Sequence, residues 1–165
     1  MFDLKPLHPD AIPAALDKAM RYRLLNEPGE AESICLDVLA VEPDNQKALV
    51  TLLLAMTDRF GLGHPVSAAR VQEVLGRLRD DYERCYYAGI ARERNGKFLF
   101  NQGAPGSGFE AFELLREAME FYEQAEKIRP PGNDDALLRW NACARHIMGN
   151  RLAPRPAEPY EPALE

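Results

Sequence analysis

Residues 117–130, EAMEFYEQAEKIRP, form an amphipathic stretch that stops at a proline and is followed at once by PGNDDALLRWNACARHI. Whether this is a solitary helix or one copy of a recurring unit decides the fold. Ala118, Tyr122 and Ala125 lie on one side of a helix at spacings of four and three, and Pro130 follows five residues later. Small residues allow a second helix to approach closely, and the aromatic fills the space beyond. The proline has no amide with which to continue the helix.

Similar punctuation runs outward from this stretch. The spacing predicts a first helix from Ala11 to Leu25, broken by Asn26-Glu27-Pro28-Gly29. A second covers Glu30 to Val41, and a third runs from Gln46 to about Phe60 through the apolar ALVTLLLAM. Ser67 serves as N-cap for a fourth, Ala68 to about Arg79. The fifth is read as Tyr82 to Arg94, ending at Asn95-Gly96, and the sixth as Phe109 to Ile128. Between them KFLFNQGAPGSG, residues 97–108, reads as a flexible tract. A seventh helix spans Asp134 to Met148, and APRPAEPYEPALE from Ala153 is too rich in proline to pack. No stretch alternates with the period of a strand, so the fold expected is all-α with about seven helices: residues 1–10 an extension, 11–150 the domain, 151–165 a disordered tail.

Composition narrows the function classes. The formal charge is −6, and it is uneven. Residues 59–97 carry 8 basic and 5 acidic side chains between two acidic flanks. That is too little cationic surface for a duplex, so no nucleic-acid partner is expected. Three cysteines without CxxC spacing read as buried thiols of a reducing compartment, and no run reaches the roughly 20 apolar residues of a membrane span. The N-terminus lacks the cationic and apolar regions of a signal peptide. A soluble, cytoplasmic protein away from membranes is the expectation.

The intervals of Ala118, Tyr122, Ala125 and Pro130 resemble the second-helix half of a tetratricopeptide repeat. Tyr22, Ala31, Val38, Leu39 and Pro43 fall in the same register, with Cys35 where the aromatic would stand. Ala48, Leu49 and Leu52 resemble the start of the next unit, as do Cys85, Ala88 and Gly89. The likeness covers residues 12–148 unevenly, with a longer turn at 59–66 and about 17 extra residues between Gly89 and Ala118.

The resemblance implies a right-handed superhelical stack of helix pairs that binds a peptide or protein surface in the groove lined by the first helix of each pair. Carried over, the groove positions are Leu16, Met20 and Arg23; Lys47, Val50, Leu54 and Asp58; Glu83, Tyr86, Ile90 and Arg94; and Asp134, Leu137, Asn141 and Arg145. Leu16 and Met20 stand where a carboxylate clamp would begin, which favours an amphipathic or apolar partner instead. The function expected is a non-catalytic interaction module, monomeric or weakly dimeric, with no cofactor. Two alternatives stand beside it: a self-associating structural subunit, and a small-ligand protein with its site under the 97–108 tract.

Other motifs carry less. Gly103-Ala-Pro-Gly-Ser-Gly108 lacks both the lysine and the preceding strand of a phosphate loop. His8, His64 and His146 are scattered, so no metal site is expected. Glu110, Glu113, Glu117, Glu120 and Glu123 line one helical face and read as solvated. Phe98 and Phe100 either pack back on the domain or form a contact patch. Trp140 reads as an anchor covering the end of the stack, with ligand stacking as the alternative.

Overall fold

The computed structural model describes residues 2–157. A short 3-10 turn, Pro9–Ala11, leads into seven helices: α1 Ile12–Leu24, α2 Pro28–Val41, α3 Gln46–Gly61, α4 Ala68–Gly76, α5 Asp81–Gln102, α6 Ser107–Lys127 and α7 Asp135–Asn150. No strand occurs among the described residues, and the fold is all-α. The starts follow local chemistry. Asn45, Ser67 and Asp80 each accept a hydrogen bond from the backbone amide three residues on, capping α3, α4 and α5. Pro13 and Pro28 sit in first turns, where an amide is not needed. Pro28 therefore opens α2, although it reads as a breaker in the sequence.

Each helix packs on the next, and α3 additionally packs on α1 and on α5. The odd-numbered helices α1, α3 and α5 thus lie side by side. Two buried clusters result. The first joins α1 to α4 and the start of α5, around Leu16, Cys35, Leu49, Leu53, Met56 and Leu75. The second joins α5, α6 and α7, around Ile90, Leu115, Ala118, Tyr122, Ala136 and Cys143. Tyr87 packs against both. Buried Glu32 of α2 pairs with Arg59 of α3 and with Arg70 of α4 (3.3 and 2.5 Å), tying the short α4 down across the long 62–67 turn.

The largest departure from the sequence reading lies at Asn95-Gly96. Here α5 does not end; it runs on to Gln102. Gly96 is buried inside the helix, where an added Cβ would stand 3.2 Å from Leu114 Cβ and 3.3 Å from the Ala111 carbonyl oxygen. The glycine lets α6 approach, and α5 continues through it. The true break is Gly103, which caps α5 with φ 65°, and Gly106 follows with φ 82°. The flexible tract expected over 97–108 is thus helix for two thirds of its length, and the additional residues lengthen both partners of the α5–α6 hairpin. Phe98 packs on Phe60 with ring centroids 5.3 Å apart, and Phe100 meets His146 edge-on at 5.4 Å. Both aromatics pack back on the domain.

After α7 the chain leaves helical structure, yet Leu152 packs against the second cluster and Arg155 stacks over the Phe109 ring at 5.4 Å. Residues 151–157 are therefore not wholly detached. The expected disorder of residues 158–165 lies outside the described residues. None of the described helices is long and apolar enough to cross a membrane.

Candidate functional site

The side-by-side odd helices set charged residues in a row. On the face shared by α1 and α3, Lys47 reaches Asp17 at 3.7 Å, both exposed. Further along, the Arg23 guanidinium binds Asp58 of α3 through two nitrogens, at 2.7 and 3.3 Å. From the other side Arg94 of α5 reaches the same carboxylate at 2.8 Å and donates to Thr57 Oγ1 and the Leu54 carbonyl. Asp58 is thus held between two arginines on two neighbouring helices. Burial pushes the Arg94 guanidinium below its ordinary value, and Asp58 works against that shift.

One residue before Arg94, Glu93 turns inward and is 1 % exposed. It accepts hydrogen bonds from Tyr122 of α6 at 2.6 Å, from Lys97 one helical turn along α5, and from Arg139 of α7 at 3.4 Å. Burial alone would raise its carboxyl. The hydrogen bonds from Lys97 and Tyr122, with the two cations, outweigh burial and hold it below the usual carboxylate range. The same packing raises the Tyr122 hydroxyl, through burial first and then the adjacent carboxylate. Burial works to lower the Arg139 guanidinium, and Glu93, Tyr86 and Tyr122 together outweigh it and raise it. Glu93 is thereby the point where α5, α6 and α7 are joined.

Beside this row a cleft of about 280 Å³ opens between the end of α3 and α5, lined by Thr57, Asp58, Phe60, Arg94, Lys97 and Asn101 among others. Arg23, Arg94, Lys97 and Arg139 outnumber Asp58 and Glu93, so the row is cationic in a chain that is acidic as a whole.

The positions expected from the resemblance fare unequally. Arg23, Leu54, Asp58 and Arg94 are brought together on one face. Lys47 lies on that face at the α1–α3 end. Tyr86 is half-buried in an aromatic group with Tyr82, Tyr87 and Tyr122. Leu16 and Ile90 are corrections: at 3 % and 2 % exposure they belong to the two cores and offer nothing to a partner. The helical register placed them one step too far outward. On α7, Asn141 and Leu137 sit with Trp140, Glu123 and Glu126 in a separate shallow pocket, and Arg145 is exposed. The α7 side chain that joins the row is Arg139. Trp140 is half-buried against the second cluster and donates to Glu123 Oε1 at 2.9 Å.

Lys97 escaped the sequence reading because it ended the fifth helix at Arg94, and Glu93 and Arg139 because the register of the resemblance assigns the groove to other positions of the fifth and seventh helices. The signal was present: Glu93 and Lys97 are spaced i, i+4 across the supposed break, an arrangement that supports a continuous helix.

No known family, curated protein or solved structure matches this chain. Among the described residues, no group of three His, Cys, Asp or Glu side chains is placed to hold a metal ion. Burial pushes the thiols of Cys35 and Cys143 up to about 12, far from the thiolate that a nucleophile needs. Cys85 is half-buried and also raised, by burial and then by Asp81. An aromatic disulfide reagent added to the native protein is expected to label Cys85 slowly and first. Cys35 and Cys143 should react only as the protein opens. Equal rates for all three thiols would contradict the packing described.

Proposed function

We propose that this chain is a non-catalytic interaction module whose helix pairs are degenerate tetratricopeptide-like units, and that it holds an acidic segment of a partner against the odd-helix face. The observation that carries the reading is the Arg23–Asp58–Arg94 bridge across α1, α3 and α5. It supports a shared surface of first helices, and it leaves excess positive charge beside an open cleft. The apolar or amphipathic partner expected from the sequence needs an apolar groove. The burial of Leu16 and Ile90 reduces the apolar part of that surface, leaving half-buried Met20, Val50 and Leu54, while Lys97 and Arg139 add charge. Recognition by charge in a half-exposed groove is salt-dependent.

The catalytic alternative draws no support from the site. Its titratable groups are bonded to one another, and the 97–108 tract that would cover a small-ligand site is largely helix. Lys97→Met keeps the stem and removes the ammonium, and Asn101→Asp adds a charge at the cleft mouth. Binding of a synthetic glutamate-rich peptide, followed by fluorescence anisotropy, is expected to weaken about tenfold or more in the double variant, with the thermal unfolding curve as a control for folding. It should also weaken as salt rises. Equal affinity in the two proteins, or none in the intact one at low salt, would remove the acidic-partner reading.

A further inference from the structure

The outer face of the first helix pair carries a second, unrelated surface. Leu7, Ala11 of the 3-10 turn, Ala14 and Ala15 of α1 and Ile34 of α2 line a largely apolar groove of about 290 Å³. Lys18 and Asp37 stand at its rim. Among the described residues no third helix lines this groove: its walls come from α1 and α2 and the residues just before α1. Immediately before Leu7 the chain runs as a non-helical arm, Phe2-Asp-Leu-Lys-Pro6. Phe2 and Leu4 are 98 % and 87 % exposed, the two most exposed large apolar side chains among the described residues. Two such side chains left in water next to an empty apolar groove are a mismatch that association relieves.

We propose that the groove receives the arm of a second copy of this chain, the two copies exchanging arms about a two-fold axis. Three observations select this occupant. The arm is rooted at the groove, because Leu7 lines it, so the arm's base and the groove lie at one place on the surface. A two-fold axis through that place brings both roots and both grooves together, as a self-complementary interface requires. From Leu7 to Phe2 the arm spans five residues, roughly 17 Å when extended, which is enough to cross to a neighbour seated at that axis. The arm also carries one carboxylate and one ammonium, Asp3 and Lys5, and the groove rim carries one of each, Lys18 and Asp37. None of these four forms an ion pair among the described residues. Each arm buries only two large apolar side chains, so the interface is small and the dimer dissociates on dilution.

Sedimentation of the full chain over a wide concentration range tests this. The weight-average mass is expected to rise from that of one chain toward that of two. Phe2→Asp with Leu4→Asp leaves both cores untouched and is expected to raise the dissociation constant at least about tenfold. Ala14→Arg, at an exposed helical position, blocks the groove and should do the same. The decisive step mixes the two variants. One chain keeps a working groove and the other a working arm, so the mixture regains association through a single exchange where neither variant associates alone. A monomer at every concentration overturns the proposal, whether the groove stands empty or is covered by the chain's own arm or tail. So does a dimer indifferent to the arm variant, or a mixture that stays monomeric.

Discussion

Replacing Glu93 with alanine is expected to lower the unfolding free energy by about 3 kcal/mol, measured by urea denaturation at neutral pH. The side chain is 1 % exposed and serves three donors on three helices. Its removal leaves the Tyr122 hydroxyl without an acceptor in a fully buried position, and two cations lose their counter-charge. Lys97 and Arg139 keep partial access to water, at 33 % and 39 % side-chain exposure, which puts the cost at the low end for a broken buried pair. Glu93→Gln retains an acceptor and should cost less, about 1–2 kcal/mol. The pH dependence has a definite sign. The folded-state value of Glu93 lies below its unfolded one, so its contribution is complete above the ordinary glutamate range. It is lost as pH falls through the lower, folded value. The Glu93→Gln variant should therefore lose less stability than the wild type on acidification. Parallel losses in both proteins would show that Glu93 is not ionised in the fold.

The second large effect is steric. Gly89→Ala is expected to destabilise by about 2 kcal/mol, even though alanine is the better helix former by about 1 kcal/mol. A Cβ at this position would lie 2.5 Å from Tyr122 Cε1 and 2.8 Å from Cδ1. The ring cannot yield easily, since it is fully buried and its hydroxyl is fixed on Glu93. Gly29→Ala, near the start of α2 with nothing within 4 Å of the added atom, should instead stabilise by several tenths of a kcal/mol. A double-mutant cycle assigns the cause. In a Tyr122→Ala background, Gly89→Ala should become neutral or favourable. A cost that persists without the ring would point to backbone strain instead of this contact.

The helices were legible in the sequence for a physical reason. Prolines, caps and three-four spacing act within a few residues, and so α1, α3 and α6 begin and end close to where these signals place them. The close crossing of α5 and α6 was half legible: Gly89, Ala118 and Tyr122 are the small and large partners of one contact. Gly96 misled because a glycine inside a helix and one that ends a helix look alike until the partner across from it is known. The charged row shows the same limit. Arg23, Asp58 and Arg94 could be assigned to one face from register alone. That Asp58 is already engaged by both arginines, and that Glu93 and Arg139 join behind them, depends on how α3, α5 and α7 are spaced. No local pattern fixes that spacing.

The division into two cores bears on how the molecule breathes. Helix α7 packs chiefly on α6 and reaches α5 through the Arg139–Glu93 and Phe100–His146 contacts, with none of the enclosure that α3 receives from α1, α2, α4 and α5. Its detachment would therefore be a fraying of one end that leaves the first core closed. Cys143 sits on the buried face of α7 and Cys35 lies in the first core, so two thiols equally suppressed at rest are gated by different events. The first reports the excursions of a single helix, and the second waits for the collapse of the whole.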